Sequence, residues 1–174
     1  MGWKNVKEEY HVKHTVQVTR HGICIGSPYI HDIIVIGLDG IVKKRYDGTN
    51  EDLSRVQREM DGKPGVLART VLGEDTFAES VDVYTYDCAD IIKKQCEVLG
   101  FPNITHDGML MYANTFSADK LQVVAWAKLN LKLWIDNTRE QTEECEQRLT
   151  ELTARLTDQE AGLAKLKDEY PGEI

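Results

Sequence analysis

The chain has 174 residues, 41 % of them hydrophobic and 29 % charged, with a formal net charge of −8, which is room for one domain with a core plus an extension. No run of about 18 apolar residues exists to span a bilayer, and the opening ten residues lack the apolar stretch of a signal peptide, so a cytosolic protein without a membrane segment is expected. Ten acidic and five basic residues lie between Asp136 and Glu169; this balance argues against non-specific nucleic-acid binding, which needs clustered Lys and Arg, and leaves a basic protein surface as the complementary partner.

After a polar start, Val12 to Thr19 alternates apolar and polar residues with period two and reads as a half-buried strand. Arg20-His21-Gly22 turns the chain, and Ile23-Cys24-Ile25 returns as a second strand that Gly26-Ser27-Pro28 stops. The run Ile33 to Leu38 is apolar on both faces, as in a central strand. Asp39-Gly40 then predicts a hairpin into Ile41 to Tyr46, because both turn positions tolerate positive φ. These pieces make an antiparallel meander, and helices are expected on one of its faces.

Asn50 or Thr49 can cap a helix from Glu51 to Met60 whose Leu53, Val56 and Met60 share a side. Gly62-Lys63-Pro64-Gly65 breaks it, a short helical turn follows from Val66 to Leu72, and the stretch from Gly62 to Thr76 reads as the mobile loop of the domain. Ser80 to Tyr86 alternates again, with Val81, Val83 and Thr85 on one face and Tyr84 and Tyr86 on the other. Ala89 to Leu99 is predicted helical, from the spacing of Ile91, Ile92, Cys96 and Leu99, with Gly100 as its left-handed stop. A loop from Asn103 to Gly108, a brief strand Met109 to Tyr112, and Ser117 as a helix N-cap complete the domain.

From Leu121 onward the heptad positions a and d are apolar at ten of fourteen places, counting Cys145, and the 3-4 spacing never breaks; a coiled-coil seam follows. Ala125, Trp126, Leu129, Leu133 and Trp134 lie outside that seam, so the first half of the helix is expected to pack against the sheet as well. Beyond Asn137 only the seam remains apolar, with Thr138 and Thr142 as weak layers at the handover. No Pro and one Gly, Gly162, occur between Ala118 and Glu169, so nothing makes a turn for a fold-back. Such a charged helix is marginal alone in water and calls for a partner helix, most economically a second copy. The predicted interface residues are Ile135, Cys145, Leu149, Leu152, Leu156, Leu163 and Leu166. The fold class is α+β, an antiparallel sheet with helices on one face, extended by a long C-terminal coiled-coil helix. Its boundaries are 1–116 for the globular domain, 117–169 for the helix and 170–174 for a tail.

Sites for chemistry are sparse. His11, His14, His21 and His31 cluster with Cys24 and invite zinc, but in a strand His11 and His14 point to opposite faces. Asp82, Asp87 and Asp90 differ in parity and make no paired magnesium site, no phosphate-binding glycine motif is present, and the four cysteines, with no CxxC, read as reduced thiols. Lys43-Lys44-Arg45 reads as edge protection on a hairpin arm. His106-Asp107 places a histidine beside a carboxylate in a loop, although Asp107-Gly108 is more simply a turn. Tyr84 and Tyr86, with Tyr112 and Phe116, suit recognition better than catalysis. No catalytic set, cofactor or metal is therefore expected, and Tyr84, Tyr86, His106 and Asp107 are the candidate recognition residues.

The block Tyr84-Thr85-Tyr86-Asp87, Cys96-Glu97-Val98-Leu99-Gly100-Phe101-Pro102-Asn103 and Thr105 to Tyr112, followed by a terminal coiled helix, resembles small accessory proteins of bacteriophages and prophages. The resemblance covers residues 80 to 174 and implies a phage-encoded protein in the cytoplasm of a bacterial host, of a kind that acts by binding a host component. The leading expectation is a non-enzymatic coiled-coil homodimer that binds a protein, with inhibition of a host defence system as one form of that role. Two alternatives stand beside it. One is a small enzyme or nucleotide-binding protein with its site near the 103–108 loop; the other is a structural spacer of phage assembly.

Overall fold

The computed structural model describes residues 2–172, so Glu173 and Ile174 of the expected tail lie outside the described residues. The chain divides into two units, Met1–Ala127 and Lys128–Ile174. The class is α+β, with antiparallel sheets and a long C-terminal helix.

In the first unit a four-stranded antiparallel sheet runs in the order β1 (Thr15–Thr19), β2 (Gly22–Gly26), β3 (Ile34–Ile36), β4 (Val42–Lys44). Period-two alternation puts Val16, Ile23, Ile25, Ile34 and Ile36 on one face, and all five are buried. Three helices cover that face: α1 (Trp3–Glu9), α2 (Glu51–Gly62) and α3 (Pro64–Leu72) contribute Trp3, Val6, Leu53, Val56, Met60, Leu67 and Val71 to the same core. Helix α2 starts where its cap predicts, with Asn50 Oδ1 accepting from the Leu53 amide at 3.1 Å. Edge strand β4 and the residue after it carry the basic triplet, and each cation has a carboxylate: Lys43 meets Asp39 at 2.6 Å, Lys44 meets Asp32 at 2.9 Å, and Arg45 pairs with Asp61.

Two expectations in this half are corrected. The polar start hides α1, whose Trp3 and Val6, with Tyr10 just beyond, are buried at i, i+3 and i+7. Of the stretch expected to be a mobile loop, Pro64 to Leu72 is helical, because Pro64 at the first turn costs no hydrogen bond there and Leu67 and Val71 anchor the helix in the core.

A second sheet pairs β5 (Val81–Asp87) with β6 (Asp90–Cys96) in antiparallel register, Val83 opposite Lys94 and Tyr84 opposite Lys93. The predicted helix over Ala89 to Leu99 is therefore wrong. Ile91, Ile92 and Cys96 fit a helical stripe and a strand equally, and ladder pairing with β5 decides for the strand. Cys88, at φ 51°, makes the two-residue turn with Ala89. Gly100 does adopt positive φ, 92°, but in a turn closed by the Asn103 amide on its carbonyl, not at a helix end. Met109 to Tyr112 forms no strand: Leu110 makes one bridge to Ile104.

The segment after β6 ties the two sheets together. Gly108 accepts from the Val18 amide at 2.8 Å, so it covers the free edge of β1. A Cβ at Gly108, whose φ is 90°, would lie 2.2 Å from a Val18 methyl; only glycine fits. Ile104 and Leu110 join the main core, while Met111 packs with Val83 and Cys96 in a smaller one.

Helix α4 spans Lys120–Glu169. Ser117 is not its cap: its backbone pairs with Tyr84, and the Asp119 carboxylate accepts from the Leu121 amide at 2.8 Å. In the first unit α4 buries Val123 and Ala127. Of the residues expected to pack on the sheet, Ala125 is exposed and Trp126 half-buried in the first unit, and Leu129, Leu133 and Trp134, in the second, are exposed. The apolar face of the four-stranded sheet is already filled by α1, α2 and α3.

Candidate functional site

The 103–108 loop is held by its backbone. The His106 amide donates to Gln95 at 2.7 Å, its carbonyl accepts from Trp3 Nε1 at 2.9 Å, and the Thr105 amide donates to Met109 at 2.9 Å. The His106 ring stacks on Phe77 with centroids 3.8 Å apart and planes 7° from parallel, and its Nε2 is buried without a hydrogen-bond partner. Asp107 turns the other way, to Lys94 and the Thr105 hydroxyl. Burial pushes the Asp107 carboxyl up, but those two donors outweigh it and hold the group below the usual carboxylate range. The two adjacent side chains thus serve different contacts and do not form an acid–base pair.

Beside this loop the N-terminal helix is clamped. Lys4 Nζ lies 2.7 Å from Glu97 Oε1 and donates to the Thr76 carbonyl at 2.8 Å, while Glu97 also accepts from the Ala78 amide. Burial pushes the Glu97 carboxyl up; Lys4 and the Ala78 amide pull it further down, leaving it lowered. Lys4 stands 5.1 Å from the Phe77 ring centre.

Tyr84 and Tyr86 occupy the face of β5 opposite buried Val83 and Thr85 and are half-buried. Tyr84 has Lys120 Nζ 6.0 Å from its ring centre. A more exposed aromatic grouping lies elsewhere. Phe101 sits 6.5 Å from Tyr29 and 5.9 Å from Tyr112, ring centre to ring centre, and Leu99 and Ile30 are exposed too. Its turn is preset: Ser27 Oγ accepts from the Tyr29 and Ile30 amides, and the Tyr112 hydroxyl donates to the Pro28 carbonyl. Tyr112 is among the aromatics singled out from the sequence; its grouping with Tyr29 and Phe101 is not, because 72 positions separate those two. The signal available was Phe101 between a glycine and a proline, the composition of a turn that displays its side chain.

In the second unit Leu131 is half-buried and the predicted interface residues from Ile135 onward are exposed. Ile135 and Leu152 are just under half exposed and Leu149, at 66 %, is the most open, with Leu156, Leu163 and Leu166 between them; Cys145 is a free exposed thiol. Thr142, a polar layer, donates its hydroxyl to the Thr138 carbonyl at 2.8 Å, so it presents a methyl group without an unsatisfied donor. Among the described residues no helix is long and apolar enough to cross a membrane. The histidines of the N-terminal cluster are dispersed: His14 Nδ1 faces Asp52 at 3.3 Å, and His21 accepts from Arg20.

Comparisons with family models, with curated proteins and with solved structures gave no match to the chain.

Proposed function

We propose that the protein is a non-enzymatic homodimer, paired through α4 between Ile135 and Leu166, that binds a second protein. The observation that carries the reading is the row Leu149, Leu152, Leu156, Leu163 and Leu166, each about half exposed at strict heptad spacing. One helix cannot shield such a row, whereas a second copy of the same row fits it layer by layer. The aromatic group of Tyr29, Phe101 and Tyr112, on a preset turn, supplies the contact surface for the partner, in the residue types that dominate binding hot spots. The divergence of His106 and Asp107 supports treating their loop as structural.

The resemblance to phage accessory proteins favours a bacterial host protein as that partner, with blockade of a defence component as the biological outcome. Light scattering after gel filtration tests the assembly: a dimer is expected at micromolar concentration, and a fully helical monomer would refute it. Purification of the tagged full chain from host cells tests the partner. A host protein lost on Phe101→Ala supports the reading, and capture of a virion protein would assign the chain to phage assembly.

A further inference from the structure

A cavity of about 310 Å³ opens between α1, the start of β1 and the segment after β6. Trp3, Pro102 and Ile104 give it an apolar side, and Lys7, Lys13 and His14 line the rest with Thr15 and Asn103. The charge around it is unusual for this chain. The protein carries 29 acidic residues against 21 basic ones, and the basic triplet from Lys43 to Arg45 is fully paired with carboxylates. Lys7 and Lys13, by contrast, have no ion-pair partner among the described residues, and both are exposed. Glu97, the carboxylate among the lining residues, is committed to Lys4 and the Ala78 amide. Asp52, which faces His14, is held by Arg55 at 2.8 Å. The cavity lining thus carries two unpaired ammonium groups on an acidic protein.

We propose that this cavity binds a small phosphate monoester, with Lys7 and Lys13 as its cationic contacts. Two ammonium groups match a monoester, which carries a charge of about −1.5 to −2 near neutral pH. The volume sits at the small end of ligand sites, about 300 Å³ and upward, which suits a compact metabolite rather than a polymer. The hydroxyl of Thr15 and the side chain of Asn103 supply neutral polar contacts, and the apolar side takes the non-phosphate part of the ligand. The site is independent of α4 pairing.

Titration calorimetry on the full chain at low salt tests this with AMP, glucose 6-phosphate, adenosine and inorganic phosphate. Saturable binding of at least one monoester is expected, weakening as salt is raised; preference for AMP or for glucose 6-phosphate distinguishes a nucleotide from a sugar phosphate. The Lys7→Gln, Lys13→Gln double variant, at two exposed positions, should bind at least about tenfold more weakly with an unchanged circular dichroism melt. A Lys43→Gln, Lys63→Gln control, equal in charge and outside the cavity lining, should bind as the parent does. Absence of binding by either monoester, inorganic phosphate binding alone as an adventitious ion only, adenosine binding as tightly as AMP, or full affinity in the double variant would each overturn the proposal.

Discussion

Replacing Leu152 and Leu156 together by glutamate puts carboxylates at adjacent d and a layers of the seam. Complete burial of a leucine side chain is worth about 1.5–3 kcal/mol, and these two are 45 % and 55 % exposed, so pairing has about 1 kcal/mol to gain at each. Two positions on each of two chains amount to about 4 kcal/mol, or about a thousandfold in the dissociation constant. Desolvating four carboxylates adds to that loss. Glutamate has nearly the helix propensity of leucine, so helicity of α4 is not the variable. Sedimentation equilibrium over a dilution series reads the constant directly. Thr150→Glu with Thr157→Glu adds the same charge at b positions, outside the seam, and should leave the dimer in place. An unchanged association constant in the leucine variant, or equal loss in both variants, would refute the seam.

Trp3→Ala removes a buried side chain and its hydrogen bond to His106; large-to-small core changes of this kind cost about 3–5 kcal/mol, measurable as a lower urea midpoint for the first unit. Acid should also destabilise this unit. The carboxyls of Glu97, Asp107 and Asp52 are all lowered in the folded chain, Asp52 chiefly by Arg55, so their stabilisation is complete above the unfolded values of about 4 and is lost as pH falls through the lower folded ones. The melting temperature is expected to be level above about pH 5 and to fall below about pH 4; a rise on acidification contradicts the pairing. In a parallel seam the two Cys145 thiols meet, and mild oxidation of Cys88→Ser gives a covalent dimer that Cys145→Ser abolishes; no cross-link assigns the antiparallel order.

Local signals were legible where the deciding forces are local. Asn50 caps α2 through its own neighbours, Asp39-Gly40 turns a hairpin, and the 50 residues of α4 hold a helix without a breaker. The misreadings fall where distant partners decide. Ile91, Ile92 and Cys96 satisfy two periodicities, and the choice between them is made by β5. Seven residues are too few for α1 to be stable alone; it is fixed by Val71, Thr76, Glu97 and His106. At the candidate site, Tyr29 and Phe101 meet only because the turn before β3 and the turn after β6 are brought together. Lys7 and Lys13 belong to no motif, and only the folded chain brings them to one cavity with Trp3 and Ile104.

The clasp between Trp3 and the carbonyl of His106 joins positions 103 apart, and this orders events during synthesis. The first unit cannot close until the chain has been made past Gly108, which secures β1 from the far side. Helix α4 is translated after those residues, and at about 5–20 residues per second its 50 residues take several seconds to appear. If α4 pairs as proposed, each copy has time to settle its own sheets before its seam exists.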